Sequence, residues 1–151
     1  MKTLLQLFVA VVLTAATVVP AAAQAAAATG IVNPETATEQ QLAALPHMNA
    51  TLAKAVIAKR PFKTMLDVDA VLKPTLSDQQ RMELYARMFK PIDLNTATRE
   101  EILLIPGAGT RMAREFAEYR PWTTVAQFRR EIGKYVDAKE VARLEQYVSI
   151  K

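Results

Sequence analysis

Slid against itself by 60 positions, the chain matches its own second half without a gap. Thr36-Ala37-Thr38 falls on Thr96-Ala97-Thr98, Pro46 on Pro106, Ala53 on Ala113, Arg60-Pro61 on Arg120-Pro121, and Leu84 on Leu144. Apolar positions keep the register as well: Leu42 with Ile102, Leu45 with Ile105, Phe62 with Trp122 and Leu72 with Ile132. Repetition at one fixed period means that a unit of about sixty residues must be built twice. The units implied are 31–91 and 92–151, joined by a short linker near Pro91.

Helix starts recur at the same spacing. Thr38-x-x-Gln41 and Thr98-x-x-Glu101 read as capping boxes, and Ser77-x-x-Gln80 and Asp137-x-x-Glu140 open a later helix in the same way. Thr64 and Thr124 suit N-caps of a third. Each unit then holds four short helices. The first runs to Leu45 or Ile105, the second ends near Arg60 or Arg120, and the others follow Thr64 or Thr124 and Ser77 or Asp137. In the second helix Leu52, Ala53, Val56 and Ile57 repeat at helical spacing, as do Met112, Ala113 and Phe116 in the later unit. Ala53 and Ala113 are where the paired helices should pack closely, and Phe62, Trp122 and Phe128 read as core. No alternating run suggests a strand, so the expected class is all-α.

The units diverge at the turn between their first two helices. The later unit has Ile105-Pro106-Gly107-Ala108-Gly109-Thr110-Arg111, where glycine permits positive φ and close backbone approach. A helix starting at Thr110 aims free amides and a partial positive charge out of that turn, which suits an anion such as phosphate. Arg111 and Arg114 add charge one turn apart. The earlier unit has His47-Met48-Asn49 instead. Asn49 could take a left-handed conformation, but His47 cannot match glycine's close approach, so this turn reads as structural.

Asn95-Thr96-Ala97-Thr98 with Glu101, the Ile105-to-Gly109 turn, Ala113 and Tyr119-Arg120-Pro121-Trp122 together resemble the helix-hairpin-helix family, in its ComEA-like group of secreted competence DNA receptors. The resemblance implies hairpin amides holding the backbone of double-stranded DNA without sequence preference. Carried onto this chain, the DNA-phosphate residues are Gly107, Ala108, Gly109, Thr110, Arg111 and Arg114, with Lys134 beside Gly133 reaching a second phosphate. Units of that group usually carry a second Gly-x-Gly turn. Here Leu72-Lys73-Pro74-Thr75 and Ile132-Gly133-Lys134-Tyr135 stand in those places, so three of four candidate turns depart from the pattern. Asn49 to Lys54 with Arg60-Pro61-Phe62 is also similar to the extrinsic subunit U of photosystem II. That family implies the same unit used as a protein-packing scaffold, and here the partner would be an envelope protein.

The first residues read as an address rather than as structure. Lys2, a run of apolar residues from Leu4 to Val19, then Pro20 and small residues up to Ala25 suit a secretory signal peptide cut after Ala23 or Ala25. Residues 26–30 read as a disordered start of the mature chain. The expected location is periplasmic or secreted, as a monomer with no membrane span after cleavage. The chain has no cysteine and a net charge of +4, one unit of which is Lys2. That small excess permits a polyanionic partner without demanding one. His47 is the lone histidine, and no nucleophile elbow or phosphate-binding loop is present. No catalytic residue, metal ligand or cofactor is expected.

Overall fold

A computed structural model describes residues 30–151; the expected signal peptide and the expected start of the mature chain, up to residue 29, lie outside the described residues. Among the described residues the chain forms eight α-helices and very little strand, an all-α protein. The first half carries α1 (Glu39–Ala43), α2 (Ala50–Ala58), α3 (Met65–Leu72) and α4 (Asp78–Tyr85). The second carries α5 (Arg99–Leu103), α6 (Thr110–Glu118), α7 (Val125–Ile132) and α8 (Ala138–Glu145). Every bound in the second set lies 60 residues after its counterpart in the first.

Side-chain caps set these starts. The Thr38 hydroxyl accepts from the Gln41 amide while Gln41 accepts from the Thr38 amide, and Thr98 with Glu101 does the same. Ser77 and Gln80 form a third box. At α8 the Asp137 carboxylate accepts from the Glu140 amide, but Glu140 does not reach back. Its carboxylate is taken by Arg143, a charged partner that outcompetes a neutral amide.

The expectation of no strand needs a small correction. β1 (Ile92–Asp93) pairs in parallel with β2 (Val148–Ser149), Ile92 opposite Val148. Val32 bridges Met88 the same way, again 60 residues earlier. Pairs this short leave no alternation to read in the sequence. They close each half by joining its entry to its exit.

Two arginines tie each half further. Arg60 donates to the carbonyls of Pro34 and Ala37 at 2.8 and 2.7 Å, and Arg120 donates to those of Leu94 and Ala97. Both are therefore structural side chains. The core is one continuous cluster drawn from both halves. Leu42, Val56, Met65 and Leu72 are wholly covered, as are Phe116, Phe128 and Ile132, and Trp122 is buried with its indole N–H on the Phe116 carbonyl at 2.8 Å. Phe89 meets Tyr147 edge-on at 5.0 Å across the halves. Glu101 joins them too: besides closing its own capping box it accepts from the Met65 amide that opens α3, at 3.3 Å. Helices of five to nine residues would not persist alone in water. Burial against each other holds them.

Candidate nucleic-acid interface

The turn joining α5 to α6 is pinned from inside. Ile105 and Ala108 are buried, and the Ala108 amide donates to the Ile105 carbonyl at 2.9 Å. Ala108, expected from sequence among the phosphate-binding residues, is thus a core anchor whose amide is already used within the turn. Gly107 and Gly109 face solvent on either side of it. Gly107 sits at φ +79°, and a Cβ there would lie 3.1 Å from the Arg143 guanidinium. Gly109 is the N-cap of α6 at ordinary extended φ, provides no side-chain cap, and has nothing within 4 Å of where a Cβ would be. The first amides of α6, from Thr110 onward, therefore open to solvent without a side-chain acceptor. With the helix dipole behind them they suit an anion.

The corresponding turn of the first half is built differently. Its left-handed residue is His47, at φ +61°, and not Asn49. Asn49 is extended, and its carbonyl oxygen accepts from the Leu52 amide at 2.9 Å, capping α2. His47 Nε2 lies 2.7 Å from Glu83 Oε2, and this hydrogen bond holds the Glu83 carboxyl below its usual range. An anion approaching this turn meets a filled cap and a carboxylate.

Along α6 and the turn after α7 the structure brings together cations that are far apart in sequence. Tyr119 and Tyr135 lie with hydroxyls 2.9 Å apart. The Arg111 guanidinium sits over the Tyr135 ring at 5.1 Å, and the Lys134 ammonium over Tyr119 at 5.4 Å. Cation–ring contact of this kind orients a charge without neutralising it. The hydrogen bond to Tyr119, with the Glu115 carboxylate nearby, pushes the Tyr135 phenol well up. Most of the gathered charge is compensated. Lys134 is hydrogen-bonded to Glu131, which raises its pKa. Arg114 pairs with Glu115 at 3.0 Å and more loosely with Glu118. Arg111 has no carboxylate within ion-pair distance among the described residues. Gly133, expected to mark a second turn, caps the end of α7 in right-handed conformation, and the turn that follows leads into α8.

Sequence reasoning missed Arg143. It packs against Gly107, lies 5.5 Å over the Tyr147 ring and is held by both oxygens of Glu140 at 2.6 and 2.7 Å. The signal was there in the repeat, since position 143 matches Glu83. The side chain facing the turn changes sign between the halves. Among the described residues no three side chains of metal-ligand type converge, and no helix is long and apolar enough to cross a membrane. Comparison of the chain with family models, with curated proteins and with solved structures finds no match.

Proposed function

We propose that the chain is a tandem duplication of a helix-hairpin-helix unit, exported like the ComEA-like proteins it resembles, whose later hairpin grips the phosphate backbone of double-stranded DNA. The observation that carries this reading is the uncapped start of α6 at Gly109 beside an Arg111 with no carboxylate within ion-pair distance among the described residues. Thr110, Arg111 and Met112 supply amides, and Gly107 keeps the turn low enough for a phosphate to approach. Arg114, Lys134 and Arg143 contribute only as far as phosphate displaces their carboxylates. Binding is accordingly weak and indifferent to base sequence, since phosphate contacts carry no direct sequence information. A role in DNA uptake fits such a protein outside the cytoplasm. The second reading, an envelope scaffold, is favoured by an open groove in the first half, between α2 and α3.

Fluorescence anisotropy with short duplexes of unrelated sequence, titrated across salt, tests the DNA reading. Affinity should be the same for each duplex and fall with salt. Arg111→Ala should reduce the slope of log K against log salt by about one unit, the value for one neutralised phosphate. Arg114→Ala should reduce it less, because Glu115 and Glu118 already compensate that charge. No binding by the wild type at about 50 mM salt, where the counterion effect is strong, would leave the scaffold reading standing.

A further inference from the structure

The open groove between α2 and α3 is lined by Ala55 and Ala58 from α2, Ala70 and Val71 from α3, and Phe62 between them in sequence. Lys59 and Lys63 stand at its edge. Neither lysine has a carboxylate within ion-pair distance among the described residues. Asp67, which also lines the groove, is occupied by the amides of Lys63 and Thr64 at 2.9 and 2.8 Å.

The second half shows what chemistry covers this place. There Ala55 is matched by Glu115, Ala58 by Glu118, Ala70 by Arg130 and Val71 by Glu131. Glu115 and Glu131 are buried, held by Arg114 and by Arg130 with Lys134. The second half thus fills the position with its own carboxylates, each against a base. The first half puts Lys59 and Lys63 where the second has Tyr119 and Thr123, has Ala55, Ala58 and Val71 in place of the three glutamates, and keeps Asp67 as its one lining carboxylate.

From this difference we infer that the α2–α3 groove of the first half docks an acidic amphipathic helix of another protein. Its aliphatic side lies on Ala55, Ala58 and Val71, and its flanking carboxylates meet Lys59 and Lys63. Helix-in-groove docking of this kind draws affinity from the apolar face, while edge charges set partner choice and approach rate. This surface is separate from the turn at Gly107–Gly109, so the inference does not rest on DNA binding.

The probe is a fluorescein-labelled peptide of Leu, Ala and Glu with Leu at i, i+3, i+4 spacing, beside a scrambled peptide of the same composition. The patterned peptide should bind the wild type, and the scrambled one about tenfold more weakly, since only pattern separates them. Ala58→Glu puts onto this exposed position the residue type that the second half carries at Glu118. It should keep the circular dichroism of the wild type and lose about tenfold or more in peptide affinity, because a carboxylate on the apolar floor costs desolvation. Lys59→Glu with Lys63→Glu should lose as much, while Ala58→Ser and Arg111→Ala should bind as the wild type does. Equal binding of the scrambled peptide, or equal loss with Arg111→Ala, would reduce the effect to general charge attraction and overturn the inference. So would a dimer of the wild type that Ala58→Glu dissociates in sedimentation equilibrium, since the groove's occupant would then be a second copy.

Discussion

The two hairpins occupy matched positions, yet only one leaves its second helix without a side-chain cap. At His47–Asn49 the helix start is filled by the Asn49 side chain, and the turn is latched to Glu83. At Gly107–Gly109 the cap is missing, and the latch is Arg143 lying on glycine. The first arrangement spends its polar groups on its own stability. The second leaves helix amides open, with Arg111 in the same helical turn and Arg143 against Gly107. The same backbone can have its second helix capped or left open at the start, depending on three or four side chains.

That contrast presumes halves that stand or fall together. Phe116→Ala deletes a wholly covered ring from the shared core and should cost about 3–5 kcal/mol. Denaturant unfolding should remain a single transition, with both halves lost at one midpoint. Val56→Ala, at the matching position, deletes less volume and should cost less. Two resolved transitions in either variant would mean that the halves must be compared as separate bodies.

Gly107→Val is the next largest. A β-branched side chain at φ +79° is strained, and its Cβ would press on Arg143, so a loss of about 1–3 kcal/mol is expected. His47 carries the same sign of φ with a side chain that tolerates it better. A Gly107→Val protein as stable as the wild type would show that the turn does not need its left-handed residue.

The smallest effect is electrostatic and separates the latches. His47 is the leading cause of the lowered Glu83 pKa. A carboxylate depressed on folding contributes stability above its unfolded pKa, about 4.3, and loses it as pH falls through the folded value. The Glu83 carboxyl, followed by NMR, should titrate at higher pH in His47→Ala and stay put in Arg143→Ala. Glu140, held low chiefly by Arg143, should respond in the opposite pattern.

Much of this fold is legible because its signals are local. Thr38, Ser77 and Thr98 mark helix starts through side chains three residues apart, and apolar spacing in Leu52-Ala53-x-x-Val56 gives the buried face. The site was half legible. Gly107 and Gly109 announce an unusual turn, but sequence cannot say which of them takes positive φ or that the Ala108 amide is spent inside. Nor could the compensation of Arg114 and Lys134 be read, because it depends on which carboxylates fold against them. Arg143 was hidden for the same reason: it reaches the turn from the last helix, 36 residues after Gly107. The two-residue strand pairs lay beyond periodicity altogether.

The central claim is that the missing cap at Gly109 is what makes the later hairpin a phosphate site, and Gly109→Asn tests it most directly. The backbone there is extended, as it is at Asn49, and there is open space for the side chain. Asn should cap α6 and raise stability by a few tenths of a kcal/mol. It should also occupy the amide that would hold phosphate and lower duplex affinity by about tenfold, the loss of one charge-assisted hydrogen bond. Stability and affinity moving in opposite directions is the predicted result. A variant that is at least as stable as the wild type and binds duplex equally well would contradict the account.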